Sequence, residues 1–454
     1  MAITHDMTIG SPTRGILRFS MPLIAGYLLQ QLYNVADAAI VGRFIGVEAL
    51  AAVGASWSVM FLIMGFCNGA CAGFAIPVAQ SFGARDHVAM RSFVANATRL
   101  SAWIAVVLTL VTTLLSGHIL RLISTPADIF TPARTYLVLQ LLTIPFTIAY
   151  NLLASLLRAL GNSRQPFYYL ILSSLLNIFL DVLLIIVFRM GVAGVGIATM
   201  VSQATAAALC LGYILRRATM LIPQGAERCY NHGQTTHLLA NGIPMGLQFS
   251  ITGIGIIMLQ SANNALGTVC VASFTAAMRV KYFFTSVFEN IGVAMATYCG
   301  QNIGARKVPR IALGIRSAMF ITMVYFLCIF TIIQLFADEM MMLFVDESQT
   351  AIIQNAAMLM RISSWFYPVL GLLTILRYSI QGLGWSGMSM MSGVMEMIAR
   401  GAVSIWLVPA WGFLGVCYGD PVAWIAADLF LIPAMLWLYG RLSKAVPRHR
   451  RPSE

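Results

Sequence analysis

The sequence predicts an all-α polytopic membrane protein whose twelve transmembrane helices form two pseudo-symmetric six-helix bundles. Three observations predict this fold class: the composition, the length of the apolar runs and an internal repeat. Of the 454 residues, 59% are hydrophobic and only 10% are charged, whereas a soluble domain carries about 25% charged residues. The apolar runs are too long for barrel strands, so helices must satisfy the backbone polar groups in lipid.

Twelve segments reach the roughly 20 apolar residues that a membrane-spanning helix needs. They are residues 19–42, 50–80, 93–117, 133–157, 166–188, 192–215, 241–264, 270–299, 315–337, 351–377, 388–409 and 412–440. The connection after the sixth segment is the longest. It predicts an N-terminal lobe (1–218), a cytoplasmic connecting loop (219–240) and a C-terminal lobe (241–454) with a basic cytoplasmic tail.

The positions of arginine and lysine predict the orientation, because basic residues are concentrated in cytoplasmic loops. With the N-terminus inside, the inner segments carry most of the basic residues and the outer segments carry few. The outer ones are Arg43, Arg121, Arg134 and Arg189. We therefore expect a multi-pass protein of the cell inner (plasma) membrane with both termini in the cytoplasm. Anionic lipid headgroups then explain the net charge of +12 without a nucleic-acid partner.

The two halves of the sequence repeat one another at an offset of about 221 residues. The matching segments are 80–85 with 301–306, Gly46 with Gly267, 191–195 with 412–416, Pro22 with Pro244, and 160–161 with 383–384. The order of the matches is the same in both halves. Parallel repeats of this kind are typical of transporters that open alternately to the two sides of a membrane.

Several segments resemble one known family. The run FSMPLIAGYLLQQLYNVADAAIVGRFIGVEALAAVG (19–54) resembles the first helix of multidrug and toxic compound extrusion (MATE) transporters. AQSFGAR (79–85), GQNIGAR (300–306) and RALGNSRQP (158–166) resemble inner turns of that family. The resemblance implies two bundles of six helices around a central cavity. It also implies export of lipophilic, often cationic, drug-like compounds, driven by inward flow of H⁺ or Na⁺.

Acidic residues inside predicted helices are functional candidates, because a charge in hydrocarbon costs about 3 kcal/mol or more. Asp37, Asp181, Asn177 and Thr199 all fall in the outer half of the first lobe by helix rise. Their oxygens suit Na⁺, and two close carboxylates can equally share a proton. The same four positions match the cation site that the resemblance implies. An interhelical hydrogen-bond cluster without ion transport is the structural alternative.

Three further residues are singled out. Pro22 lies near the start of the first helix, where it either permits bending of that helix or occupies an N-terminal turn without a special role. Glu289 and Glu396 are candidates for contact with a cationic substrate in the cavity. The alternatives are ion pairs of Glu289 with Arg279 or Lys281, and of Glu396 with Arg400 at i,i+4 spacing.

Other functions are excluded by what the sequence lacks. It has no nucleotide-binding G-x-x-x-x-G-K-[ST] loop and no constellation of catalytic or metal-ligating residues. We therefore expect a transporter that uses no ATP and no cofactor beyond its coupling ion, H⁺ or Na⁺, and that is not an enzyme. We expect a functional monomer that acts as a secondary antiporter by alternating access. A lipid-linked precursor flippase of related architecture is the alternative.

Overall fold

The computed structural model describes residues 6–44, 47–122, 125 and 130–445. Within these ranges the chain is helical, with short turns and no β-strand. The predicted basic tail beyond Ala445, and Gly46 of the repeat, lie outside the described residues.

In the part of the chain that the structure describes, twelve long helical segments follow one another, in the order that the apolar runs predict. The first six are Pro12–Phe44 (α1), Val47–Gly83 (α2), His87–Leu122 (α3), Phe130–Ala159 (α4), Arg164–Val187 (α5) and Val192–Arg216 (α6). The last six are His232–Asn264 (α7), Thr268–Gly304 (α8), Val308–Met342 (α9), Thr350–Trp365 with Tyr367–Gly382 (α10), Ser386–Trp411 (α11) and Phe413–Cys417 with Gly419–Ala445 (α12).

Within the described ranges, nine helices are long and apolar enough to cross a membrane, or ten if the two parts of α10 form one span. The two parts of α10 meet at an angle of 56°. The long helices that do not meet this criterion are α1 and α8. Both contain ionisable residues within the helix, among them Asp37 in α1 and Lys281 in α8. These two helices also contribute to the sites described below.

Backbone geometry repeats with the sequence. Gly191 and Gly412 have φ of 58° and 59°, and the non-glycine residues Arg85 and Arg306 have φ of 60° and 57°. Left-handed backbone is uncommon for a residue with a side chain, so its recurrence at an offset of 221 residues is specific. A π-helical turn also recurs, at Leu183–Val187 in α5 and Val403–Leu407 in α11.

The helix breaks repeat as well. α4 is interrupted at Thr143 and α10 at Phe366, and in each case the next helical part has a proline, Pro145 or Pro368, in its first turn. Proline cannot donate a backbone hydrogen bond, and it is tolerated where a helix begins because the amide has no intrahelical partner there. The two prolines thus mark the beginning of the second helical part at equivalent places in the two halves.

The chain divides into two compact units that are not simple halves of the sequence. Unit 1 contains Met21–Phe82 and Asp86–Ser250, and unit 2 contains Asp6–Ser20, Gly83–Arg85 and the chain from Ile251. The start of α1 therefore packs within unit 2 and the start of α7 within unit 1. The lobes 1–218 and 241–454 are a division by sequence repeat, and they stay a prediction.

The exchanged helix starts make equivalent contacts. In unit 2, the Oγ1 of Thr13 donates to the Oγ of Ser317 at 3.1 Å. In unit 1, the Nδ2 of Asn96 donates to the Oε1 of Gln234 at 3.1 Å. Thr13 and Gln234 are 221 residues apart, and so are Asn96 and Ser317. Each unit thus holds one copy of the same interaction.

Close packing of α2 against the start of α7 depends on glycine. An added Cβ at Gly73 would lie 2.6 Å from the Cα of Gly242, and one at Gly69 would lie 2.5 Å from the backbone oxygen of Met245. Small residues let helices approach closely, which is a principal source of helix association in membranes. Unit 1 therefore has a helix contact that no larger side chain can enter without a backbone shift.

Candidate cation site and buried charge network

The structure brings together the four residues that the sequence predicts as a cation site. The carboxyl groups of Asp37 on α1 and Asp181 on α5 are in hydrogen-bonding contact. Asp181 is fully buried and Asp37 is half-buried. Asn177 lies one turn before Asp181 on the same face of α5, because residues four apart share a helix face. Thr199 approaches from α6.

Asn177 links the three helices. In the amide orientation that satisfies both of its ends, its Nδ2 donates to Asp181 Oδ2 at 2.8 Å and to the hydroxyl of Tyr33 at 3.0 Å. Its Oδ1 accepts from the backbone N–H of Thr199 at 3.1 Å. The hydroxyl of Thr199 donates to the backbone oxygen of Val195 at 3.0 Å. The site is therefore held by α1, α5 and α6 together.

Two tyrosines of the site are absent from the sequence prediction. Tyr33 lies one turn before Asp37 on α1 and is hydrogen-bonded to the Thr199 side chain. Tyr136 on α4 is hydrogen-bonded to Gln140, and it lies close enough to Asp37 for the charge of Asp37 to act on it. The i−4 relation of Tyr33 to Asp37 is a signal that could have found the first tyrosine. Nothing in the local sequence places Tyr136.

A small polar cleft borders the site. Tyr33, Asn177 and Thr199 line it, together with Gln30 and Gln203. Amide and hydroxyl groups in hydrocarbon are costly unless they are hydrogen-bonded or hydrated. The cleft therefore offers water or a small cation polar contacts next to the two acids.

The chemistry of the pair follows from its charge. Two carboxylates in contact cannot both stay ionised unless a cation lies between them, so they share a proton or bind a metal cation. Asp37 Oδ1 and Asp181 Oδ1 are buried and have no hydrogen-bond partner among the described residues. These orphaned oxygens, with the Thr199 hydroxyl, are hard ligands of the kind that Na⁺ prefers. The donor set therefore fits either H⁺ or Na⁺.

Pro22 lies well inside α1, which begins at Pro12. The alternative of a proline in the N-terminal turn therefore does not describe its position. Because proline has no amide hydrogen, the backbone oxygen of Arg18 lacks its usual i+4 donor. The boundary between unit 2 and unit 1 falls between Ser20 and Met21, directly before Pro22. The weakened helix turn thus coincides with the point where α1 passes from one unit to the other.

A second set of buried charges lies in unit 2. We call Lys281, Arg377, Glu396, Arg400 and Asp420 the second-half network. Lys281 Nζ donates to Asp420 Oδ2 at 2.6 Å, and Arg400 Nε donates to Asp420 Oδ1 at 2.9 Å. Arg400 Nη1 also donates to Glu396 Oε2 at 3.0 Å, and Arg377 donates to Glu396 Oε1. Each acid is thus held by two bases.

The network bears on the alternatives left open for Glu396 and Glu289. The i,i+4 pair of Glu396 with Arg400 is present, and Glu396 is buried with both oxygens engaged. Glu289 is half-buried and accepts a hydrogen bond from the Tyr378 hydroxyl at 3.1 Å. Lys281 pairs with Asp420 rather than with Glu289. Contact of Glu289 or Glu396 with a substrate stays a prediction.

Comparison with known proteins decides the family. The family model described as MatE matches residues 22–183 and 244–406, which together cover most of the chain and reproduce the internal repeat. The chain belongs to the MatE family. Asp37, Asn177 and Asp181 lie in the first matched range, and Thr199 lies outside both.

Curated relatives and a solved structure agree with the MatE assignment. "Probable multidrug resistance protein YpnP" of Bacillus subtilis is 27% identical over 404 residues, covering 89% of this chain and 88% of the relative. "Probable multidrug resistance protein NorM" of Thermotoga maritima is 24% identical, covering 81% and 80%. The structure titled "Outward-facing conformation of a multidrug resistance MATE family transporter of the MOP superfamily" has 23% identity and a TM-score of 0.89, covering 97% and 98%.

MatE membership confirms several sequence predictions. The fold is the helical architecture of MATE transporters, with two repeats. The protein is a multi-pass membrane transporter and not an enzyme. The cation site, the bending role of Pro22 and the coupling ion stay predictions.

Proposed function

We propose that this MatE protein is a secondary antiporter that exports lipophilic, often cationic, organic compounds in exchange for inward H⁺ or Na⁺. The contact between Asp37 and Asp181 carries the proposal. Two acids in contact inside hydrocarbon need a bound proton or cation, and this requirement supports an ion site at the pair. The curated relatives, which are named as multidrug resistance proteins, support drug-like compounds as the cargo.

The coupling step follows from charge neutralisation. An ion from outside binds at Asp37 and Asp181 and removes the repulsion between them. α1 then bends at Pro22, where one backbone hydrogen bond is already missing. Bending lowers the affinity for the exported compound, which leaves to the outside. Ion and compound must each bind the two states with different affinity, because otherwise no free energy passes between them.

The flippase alternative would favour a groove lined by unpaired basic residues for a lipid-linked phosphate. Among the described residues of unit 2, the deeply buried bases Lys281, Arg377 and Arg400 are bonded to acids. Free anion-binding charge is thus reduced there, which supports the antiporter over the flippase.

Transport into proteoliposomes tests the proposal. Purified protein is reconstituted with ethidium as the probe, and a pH gradient or a Na⁺ gradient is imposed separately. We expect uphill movement of ethidium with at least one gradient, and its loss in Asp37→Asn. Asp338→Asn is the matched control, because Asp338 forms a partly exposed ion pair with Arg361, remote from Asp37 in sequence. Equal transport with and without both gradients would reject antiport.

The topology proposal is that both termini and the connecting loop are cytoplasmic in the plasma membrane of a functional monomer. Cys229 in that loop is exposed, whereas most of the other cysteines are buried. A membrane-impermeant maleimide should label Cys229 in inside-out vesicles and not in intact cells. Cys229→Ser is the control, since labelling that persists in it would come from another thiol. Labelling of Cys229 in intact cells would contradict the proposed orientation and place the connecting loop outside.

A further inference from the structure

Asp428 on α12 is a buried acid that the proposed ion site does not use. The residue is 5% exposed, and neither carboxyl oxygen has a hydrogen-bond partner among the described residues. A buried ionised carboxylate without donors is strongly disfavoured. In the described part of the chain, the neighbouring charge that acts on it most is that of Arg377.

The charges around Asp428 do not balance. The second-half network contributes three bases and two acids, and Glu289 and Asp428 add two acids whose charges also act on Arg377. Three cations therefore face four carboxylates. If all seven groups were ionised, the cluster would carry one uncompensated negative charge within the membrane. A single bound proton makes it neutral.

The bonding pattern identifies the acid that takes this proton. Glu396 and Asp420 each accept from two bases, and Glu289 accepts from the Tyr378 hydroxyl. Asp428 has no donor among the described residues, so its carboxylate is the least stabilised of the four. We propose that Asp428 is a second proton-binding site, which takes up and releases one proton during transport.

The surroundings of Asp428 contain the groups that govern its charge. Arg377 is the charged residue shown to act on Asp428 among the described residues. The groups linked to Arg377, directly or through the second-half network, are Lys281, Glu289, Tyr378, Glu396, Arg400 and Asp420, and Tyr367 on α10 is a further buried titratable group near Asp420. The charged residues of α9 are Arg310, Arg316, Asp338 and Glu339, all toward its ends. Arg279 on α8 is exposed. Arg377 is thus the base whose positive charge most directly stabilises an ionised Asp428.

The consequence is a switch in the bonding of Arg377. When Asp428 holds the proton as a neutral carboxylic acid, Arg377 interacts with Glu396 and Glu289 without competition from a third carboxylate. When the O–H bond of Asp428 breaks and the proton leaves to water, the new carboxylate competes for Arg377. Proton release therefore changes the charge interactions among α8, α10, α11 and α12. This site deepens the proposed function, because it adds a second ion site to the transport cycle.

Infrared titration of the purified protein tests Asp428 directly and does not depend on transport. The starting variant is Asp37→Asn/Asp181→Asn, which removes the acids of the first site. We expect a protonated-carboxyl C=O band from the protein interior that disappears as the pH is raised. Adding Asp428→Asn should abolish this band, and Asp428→Glu should restore a shifted band. The amide of Asp428→Asn resembles the neutral acid in shape, so folding should be retained.

Glu289→Gln is the matched comparison in the same starting variant. The band should persist in Glu289→Gln and be lost only with Asp428→Asn. Loss in Glu289→Gln with persistence in Asp428→Asn would place the proton on Glu289 and overturn the proposal. A band that no substitution removes would also overturn it. The proposed antiport can fail in proteoliposomes while this band is present, so the two failures are distinguishable.

Discussion

Asp37 on α1 and Asp181 on α5 touch through their carboxyl groups, while Asn177 ties Asp181 to the Tyr33 hydroxyl. The pair joins α1, which contains Pro22, to α5, and both acids belong to unit 1. If an ion binds at the pair as proposed, it alters the force between α1 and α5.

Tyr33 should tune ion binding. Tyr33→Phe removes the hydroxyl that accepts from Asn177 and bonds to Thr199. One hydrogen bond is worth about 1 kcal/mol, so the apparent affinity for the coupling ion should fall roughly fivefold. The measurement is ethidium transport at varied ion concentration in proteoliposomes. Tyr168→Phe, on the exposed face of α5, is the control. An unchanged ion affinity in Tyr33→Phe would contradict a role of Tyr33 in ion binding.

Substitution of Gly73 should lower the stability of the protein. Gly73→Ala places a methyl group 2.6 Å from the Cα of Gly242, where only a backbone shift can make room. Overpacking of this kind costs about 1–3 kcal/mol, so Tm in detergent should fall by several degrees. Gly212→Ala is the matched control, because outside its own helix backbone no described residue lies within 4 Å of its added Cβ. Equal Tm values for the two variants would contradict the close α2–α7 contact.

Acidification should release the connecting loop. Glu227 accepts two hydrogen bonds from Arg91, at 2.7 and 2.6 Å, and one from the backbone N–H of Gln224. The Arg91 guanidinium first, and that amide second, lower the pKa of Glu227 from 4.5 to about 2. Because the folded pKa is the lower one, the stabilisation is complete above pH 4.5 and is lost as the pH falls toward 2.

Hydrogen exchange of residues 224–231 checks this loss. After correction for intrinsic rates, exchange should rise on acidification in wild type. Glu227→Gln should show the fast exchange already at neutral pH, since its uncharged amide cannot form the ion pair with Arg91. Asp346→Asn is the control, because the Asp346 side chain accepts hydrogen bonds from Ser348 within another loop. A wild-type loop with exchange independent of pH would contradict the role of this ion pair.

Breaking the second-half network should destabilise the protein strongly. Arg400→Met leaves Glu396 and Asp420 each with one base in a buried setting, and the loss of one partner of a buried pair costs about 3–5 kcal/mol. Arg361→Met is the control, since Arg361 and Asp338 have side chains 37% and 38% exposed and such pairs contribute at most about 1 kcal/mol. Similar unfolding temperatures for both variants would contradict a buried network.

Much of the fold was predictable because it depends on local sequence. Apolar runs in the sequence predict twelve helices, and the 221-residue repeat predicts the paired turns at Arg85 and Arg306. α1 begins at Pro12 rather than at residue 19, because its first turns contain basic residues that no hydropathy criterion assigns to a span. The depth of Pro22 within α1 follows from this earlier start.

The candidate site was only partly predictable, since contacts between distant helices leave little local trace. Helix rise placed Asp37 and Asp181 at similar depth, and the structure brings them into contact. The i,i+4 spacing gave the pair of Glu396 with Arg400. Pairing of Lys281 with Asp420 depends on how α8 packs near α12, which no spacing within either helix reveals.

The most direct test of the Asp37–Asp181 pair compares uphill with downhill transport in one preparation. Ethidium movement is followed in proteoliposomes of wild type, Asp181→Asn and Asp338→Asn, first down its own gradient and then against it with an imposed ion gradient. Ion coupling at the pair predicts that Asp181→Asn retains downhill movement and loses uphill movement, while Asp338→Asn retains both. Uphill transport at the wild-type rate in Asp181→Asn would contradict it.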